Sequence, residues 1–442
     1  MKEILVLGAG RSSGGLINYL AKHARDRWRI CVGDIDESAA RGKIISCPGG
    51  KAIAFNLEDH QESVATIANA DVVISLLPAD LHPKVARLCL TMKKHLLTAS
   101  YVSEEMKSCH NEALKNGLLF LNECGLDPGI DHMSAMQILD RIRACGANVV
   151  SFESFTGGLI APETDPDNPW RYKFTWNPRN VVMAGQSTAK FLEDGHFKYI
   201  PYQQLFRRTT EVEVPGYGAF EGYANRDSLK YREAYQLQDI KTMLRGTLRH
   251  KGFCEAWNIF VQLGCCDDSY IMEKVEDMTH RDFLNSFLEG DVKEDFKHRI
   301  LKQCGPEISA AALDKLAWSG MFDAREIGCS RGTPAQILEH ILNKKWKLNP
   351  KDQDMVVMWH RFRYKQEHRT KEILASLVVK GTNAVDTAMS KTVGLPLGIA
   401  ARLLLEGQIQ SRGVVLPVTP EFYDPILRAL QDEGIGLIEN ER

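Results

Sequence analysis

The sequence predicts an α/β protein that opens on a doubly wound parallel sheet and continues into a mixed-sheet α+β domain with a small helical domain. Three observations predict it. Short β-rich apolar runs near 3–7, 29–33, 52–55, 72–77, 95–100 and 118–123 alternate with helical patterns over the first 125 residues. The first of these runs ends in Gly8-Ala9-Gly10 and leads into a helix. After residue 126 Gly, Pro and aromatic residues surround strand-like pieces at 149–156 and 210–214, and from about 240 to 348 strand signals nearly vanish.

Taken in order, Ile17, Leu20, Ala21 and Ala24 recur at i, i+3, i+4 and i+7, one apolar face of a helix after the first strand. Pro83 stands in the first turn of a later helix, where its missing N–H costs nothing. Asp131 reads as the N-cap of a helix whose stripe is Met133, Met136 and Leu139. Ile308, Ala311, Ala312 and Leu316 mark a short helix in the stretch without strands. Strand patterns return at 354–363 and 372–380, and Pro396 to Gly407 brackets a helix with proline at its start and glycine just past its end.

Composition narrows the function classes. Lys+Arg number 55 and Asp+Glu 57, so the formal charge is 55 − 57 = −2, and no block of five like charges occurs. No nucleic-acid partner is expected on that balance. With 44% hydrophobic and 25% charged residues and no apparent run of about 18 apolar residues, no membrane partner is expected either. The eleven cysteines never fall as Cys-x-x-Cys, and Cys31, Cys89 and Cys124 sit in apolar stretches as small buried hydrophobes. A reducing compartment, the cytoplasm, is the expected location, with no leader before a strand that begins at once after Met1.

The segment Gly8-Ala9-Gly10-Arg11-Ser12-Ser13-Gly14 lies between a strand and a helix, the context of a Rossmann-type dinucleotide fingerprint. Gly8 permits the tight turn, and Gly10 lets the backbone approach a pyrophosphate at the helix N-terminus. Ser13 stands where the third glycine is expected, with Gly14 one residue late. The second strand ends at Asp34, whose carboxylate suits the ribose hydroxyls of NAD, while Asp34-Ile35-Asp36-Glu37 offers no cation for a 2′-phosphate. Gly10-Arg11-Ser12-Ser13-Gly14 also fits a hydrolase nucleophile elbow, but no His-Gly-Gly segment precedes it and Asp34 would go unexplained. Leu76, Leu77, Ser100 and Tyr101 end the fourth and fifth strands at the carboxyl edge, where such sheets bind ligands. The cofactor candidates are thus Gly8, Gly10, Arg11, Ser12, Ser13, Asp34, Ile35, Leu76, Leu77 and Ser100. Asp127 is either the first residue of an Asp-Pro-Gly turn or a reacting-site carboxylate, and His132 reads as a polar first-turn residue. No metal-ligand spacing is present, and no metal is expected.

These segments together closely resemble the glutamate-forming saccharopine dehydrogenases, also called saccharopine reductases. Similar stretches run through Thr156-Gly157-Gly158-Leu159-Ile160-Ala161-Pro162-Glu163, Tyr172-Lys173-Phe174-Thr175-Trp176-Asn177-Pro178, Asn225-Arg226-Asp227-Ser228, Leu244-Arg245-Gly246-Thr247-Leu248-Arg249 and Met389-Ser390-Lys391-Thr392-Val393-Gly394-Leu395-Pro396. The resemblance implies oxidation of L-saccharopine with a nicotinamide cofactor and water to 2-aminoadipate 6-semialdehyde and L-glutamate. It implies Thr175 as a further cofactor residue, and Ser100, Tyr101, Asp127, Gly157, Gly158, Arg226, Arg245 and Thr247 as substrate residues. Two departures stand out: Thr156 occupies the position where the family usually has Cys, and Ala224 the position of a Pro.

The chemistry agrees with that implication. Saccharopine carries three carboxylates, and Arg226 and Arg245 can grip such groups bidentately. Hydride leaves the carbon of the C–N bond, an imine results, and water adds to it, with Tyr101 and Asp127 as the candidates that orient amine and water. The expected organisation is a nucleotide domain at 1–125, a substrate domain at 126–240 and 351–395, a helical insertion at 241–350 and a C-terminal α/β tail at 396–442 that packs back on the first domains. A homodimer acting on a small amino-acid substrate is expected. Two other readings stay open: an imine reductase resembling carboxynorspermidine dehydrogenase, whose product has one carboxylate, and a non-catalytic NAD-binding regulator.

Overall fold

The first strand buries Ile4, Leu5, Val6 and Leu7 completely, as a parallel strand covered on both faces requires. It is central to the fold of the computed structural model, which describes residues 1–24, 26–45, 47–184 and 186–442. In chain order the elements begin with β1 (Lys2–Leu7), α1 (Ser13–Ala24), β2 (Trp28–Asp34), α2 (Glu37–Lys43), β3 (Lys51–Ala54), α3 (His60–Asn69), β4 (Val72–Ser75), α4 (His82–Met92) and β5 (His95–Thr98). There follow α5 (Glu104–Ser108), α6 (His110–Lys115), β6 (Leu119–Leu121) and α7 (Ile130–Ala144). Next come β7 (Asn148–Ile160), α8 (Pro178–Val182), β8 (Ala189–Glu193), β9 (His196–Ile200), α9 (Tyr202–Leu205), β10 (Thr209–Val214), β11 (Gly218–Ala224) and β12 (Thr242–His250). Helices α10 (Phe253–Leu263), α11 (His280–Asn285), α12 (Phe296–Cys304), α13 (Ala310–Trp318) and α14 (Pro334–Trp346) precede β13 (Asp354–Gln366) and β14 (Arg369–Lys380). The chain closes with α15 (Ala388–Leu405), β15 (Gly413–Val415), α16 (Pro420–Asp432) and β16 (Ile438–Glu441).

Two units result: Met1–Asn148 with Gln366–His368 and Leu377–Ile438, and Val149–Lys365 with Arg369–Ser376 and Glu439–Arg442. The first is built on a sheet of order β3-β2-β1-β4-β5-β6-β15. All its pairings are parallel. This is the doubly wound dinucleotide order with one added edge strand. The order reverses between β1 and β4, which places the loops after β1 and β4 side by side at the carboxyl edge. The second unit is built on a mixed sheet of order β10-β11-β12-β7-β13-β14-β16, with the β8–β9 hairpin branching from β12.

Several expectations are corrected. By compactness the units part at 148/149, so α7, with its buried Met133, Met136 and Leu139, falls in the first unit. Residues 377–395 also belong to the first unit rather than to the substrate domain. The stretch 241–350 begins with a strand, β12, and is not a separate domain. Its helices supply Phe253, Trp257 and Trp346 to the aromatic core that holds Trp170 and Tyr172. Pro396 does not start its helix: α15 begins at Ala388 behind the Thr387 cap, and the proline lies inside it. That helix also overturns the expectation that no stretch is long and apolar enough to span a bilayer; its 18 residues average a hydropathy of 1.3, yet 78% of them are buried in protein, as in a core helix.

Candidate active site

In the first unit the loop after β1 is shaped by its glycines. Gly8 adopts φ +102°, where a Cβ would lie 3.0 Å from the Leu76 carbonyl oxygen. Gly10 is different: it is exposed and a Cβ there would meet no protein atom within 4 Å, so its backbone is accessible just before the N-terminus of α1. The Ser13 hydroxyl is buried and donates to the Gly10 carbonyl at 2.8 Å, so it serves the loop itself. Asp34 has a structural task besides the expected one. Its Oδ2 accepts from the Ala9 N–H at 2.7 Å and its Oδ1 from the Asp36 N–H at 3.0 Å, which leaves lone pairs on both oxygens for ribose hydroxyls. Arg11 is exposed, Ser12, Leu76 and Leu77 are half-buried, and Ile35 is exposed at the rim. These residues fit a dinucleotide.

At the same edge His82, in the first turn of α4, bridges strand ends. One ring nitrogen lies 2.9 Å from the Ser75 hydroxyl, and the other lies 2.8 Å from the Ser100 hydroxyl and 3.1 Å from that of Thr98. Burial pushes its imidazole down to about 4, so it is neutral and holds Ser100 as a hydrogen-bonding group only. The Tyr101 phenol donates to Asp127 Oδ1 at 3.0 Å, which brings together the two candidates for amine and water. Asp131 is not the helix cap; Gly129 is, and the Asp131 carboxylate folds back to accept the Gly129 N–H at 2.6 Å. His132 is in the first turn of α7, as expected. It is fully buried, 2.8 Å from the carboxylate of Glu123, a residue the sequence reading passed over.

In the second unit Arg245 and Thr247 occupy alternate positions of β12 and so share a face. Arg245 is 7% exposed and its guanidinium stands 4.4 Å from the centre of the Tyr231 ring. Its N–H donates to the Ser228 hydroxyl at 2.9 Å, and its carbonyl accepts from Asn225 at 2.9 Å, so the Asn225–Ser228 turn is fastened to this strand. Arg226 itself is exposed and has a left-handed backbone, φ +49°. Thr156 lies beside Thr247 in the parallel pairing of β7 with β12, and its buried hydroxyl, like that of Thr175, meets no hydrogen-bonding partner among the described residues. Gly157 is buried where a Cβ would come 2.5 Å from the Leu248 carbonyl, and Gly158 is half-buried. Arg249, on the same face as Arg245, was missed; it is buried among the rings of Tyr172, Tyr223 and Phe253. Lys173 anchors its family-like segment through Asp165 at 2.8 Å and Asp352 at 2.7 Å.

Residues 4–121 match the saccharopine dehydrogenase NADP binding domain and residues 125–435 the saccharopine dehydrogenase C-terminal domain. The chain belongs to the saccharopine dehydrogenase family. It is 33% identical over 447 residues to the saccharopine dehydrogenase (NADP(+), L-glutamate-forming) of Saccharomyces cerevisiae, covering 99% of each chain. The mitochondrial alpha-aminoadipic semialdehyde synthase of Bos taurus is 34% identical over 453 residues, and there this chain spans 47% of the relative's length. The solved apo saccharopine dehydrogenase (L-Glu forming) from Saccharomyces cerevisiae superposes with a TM-score of 0.90 at 31% identity over 100% of both chains. Spacing places Glu123 and His132 only as neighbours of the Asp127 turn; neither their burial nor their pairing follows from it.

Proposed function

We propose that this member of the saccharopine dehydrogenase family oxidises L-saccharopine, with NAD and water, to L-2-aminoadipate 6-semialdehyde and L-glutamate. The observation that carries the reading is the match over 99% of both chains to a relative named for that glutamate-forming activity. When bound, the nicotinamide ring supplies the hydride acceptor. The chain's own residues do the rest. The α1 N-terminus and Gly10 bind the pyrophosphate, Arg226 and Arg245 bind substrate carboxylates, and the Tyr101–Asp127 pair orients the amine and then the water that adds to the imine.

Asp34 supports NAD in this chain, although the fungal relatives are named for NADP(+). A 2′-phosphate would face Asp34, Asp36 and Glu37 at the end of β2, and the nearest cation in sequence, Arg41, is paired with Glu37 at 2.7 Å. Losing a charge-assisted hydrogen bond to the ribose costs about 1.5–3 kcal/mol, or roughly 10- to 150-fold before repulsion is counted. Steady-state reduction of NAD and of NADP with saccharopine, beside carboxynorspermidine, tests both parts. We expect kcat/KM to favour NAD and saccharopine; equal values for the two nucleotides overturn the cofactor assignment, and inert saccharopine overturns the reaction.

A further inference from the structure

Glu123 stands two residues beyond β6 with φ +55°, a left-handed backbone in a residue that has a Cβ. Such a conformation is strained and persists only where the surroundings over-determine it. Here they do. The Glu123 N–H donates to the Ser100 carbonyl at 3.2 Å, and its Oε1 accepts the Val102 N–H at 2.9 Å. One residue therefore grips the peptide groups on both sides of Tyr101, whose phenol meets Asp127 at 3.0 Å.

The same side chain is 2% exposed, and its Oε2 lies 2.8 Å from Nε2 of His132, which is 0% exposed in the first turn of α7. His132 Nδ1 is 3.8 Å from Asp131 Oδ2, while Asp131 Oδ1 accepts the Gly129 N–H at 2.6 Å. The turn that carries Asp127 and the turn that carries Tyr101 thus converge on one buried Glu–His pair. A buried carboxylate is costly unless paired and hydrogen-bonded, and an apolar side chain would fill the same space at lower cost. What the polar pair adds is a fixed direction for the groups it holds, since a fully satisfied polar network is rigid.

We infer that Glu123, held by His132, is a positioning residue that fixes the Tyr101 phenol against Asp127 for the proton-handling steps, an inference that rests on the functional reading above. The test is a double-mutant cycle of Glu123→Gln with Tyr101→Phe, read as kcat and KM for saccharopine, affinity for NADH by fluorescence, and Tm. Misplacing a reacting group by about an ångström costs up to roughly 100-fold, and we expect Glu123→Gln to lower kcat about tenfold or more with KM and NADH affinity nearly unchanged. In the Tyr101→Phe background the same substitution should cost less than about twofold, because the group it positions is gone. Equal losses in both backgrounds, or an unchanged kcat in the single variant, overturn the inference. If Glu123→Gln does not fold, His132→Gln is carried through the same cycle with the same expectation. Should the wild-type chain be inert towards saccharopine, the functional reading falls by itself. The positioning is then read from the ring-carbon NMR signal of labelled Tyr101: a shift in Glu123→Gln supports it, and an unmoved signal refutes it.

Discussion

A carboxylate-binding arginine is useful only if its planar fork is held in one orientation, and the Arg245 guanidinium lies over the Tyr231 ring, 4.4 Å from its centre, so less freedom is lost when a ligand arrives. The backbone below it is fastened as well, the Arg245 main-chain N–H donating to the Ser228 hydroxyl at 2.9 Å. Truncating Arg245 to Ala should raise KM for saccharopine by about tenfold or more, and Arg226→Ala should do likewise, with NADH affinity kept. Arg245→Lys should recover only part of the loss, since it restores the charge without the fork. Unchanged saccharopine kinetics in both Ala variants would remove these residues from the substrate site. Legibility at this scale followed locality. Gly8, Gly10 and Asp34 could be read because a strand, a turn and a helix lie next to each other in sequence. Glu123 and His132 could not, because a Glu after the three-residue strand Leu119–Leu121 looks like a surface charge until its partner nine residues later is seen to be buried. His82 was hidden in the same way, its three hydroxyl partners lying on two other strand ends.

Elements also interlock in ways that motifs conceal. The Met389–Pro396 stretch is the N-terminal half of α15, and it packs so closely on α1 that side chains are excluded. A Cβ on Gly15 would lie 2.9 Å from the Ser390 carbonyl oxygen, and one on Gly394 would lie 2.8 Å from the Leu16 nitrogen and 2.9 Å from the Ser12 carbonyl oxygen. The Ser390 hydroxyl also accepts the Gly15 N–H at 3.0 Å, serving one of the amides that a helix N-terminus leaves without an internal partner. Pro396 misled because proline usually marks a first turn; here the helix continues through it, since burial on both sides outweighs the one lost bond to Thr392. Helical Gly→Ala changes normally stabilise by up to about 1 kcal/mol. Gly394→Ala should do the reverse and cost about 1–3 kcal/mol by overpacking. It should also weaken NADH binding, because the strain falls on the Ser12 carbonyl of the glycine loop. Gly42→Ala in α2, where a Cβ meets nothing within 4 Å, is the matched control and should raise Tm slightly. A stabilising Gly394→Ala would show that α1 and α15 do not approach as closely as described.

Over the whole chain, the fold class could be read from the alternation of strands and helices, and so could the return of the C-terminal tail to the first domains, but not the strand that makes that return. The first unit takes back Leu377–Ile438, and it does so through β15, whose three residues Gly413–Val415 add a parallel edge to β6. Three residues carry no periodicity, so only the completed sheet reveals them. One consequence spans both units. His82 and His95 in the first and His250 in the second are each pushed down to about 4, chiefly by burial, and the Leu119 N–H donates to His95 Nδ1 at 2.9 Å, which a protonated ring could not accept. In the unfolded chain these rings titrate near the ordinary value of about 6.5. Between those limits the unfolded state binds protons that the folded state refuses, so stability is full above about pH 6.5 and is lost as pH falls towards 4. For His82, which is 3% exposed, the loss is up to about 1.4 kcal/mol per pH unit within that window. Tm should therefore fall between pH 6.5 and 5. His82→Asn, which keeps hydrogen-bonding capacity but cannot take up a proton, should flatten that fall while lowering Tm at pH 7.5 through its poorer fit to Ser75, Thr98 and Ser100. A variant whose Tm declines with pH as steeply as the wild type would mean that His82 is already protonated in the folded protein, and the neutral clamp on Ser100 would have to be given up.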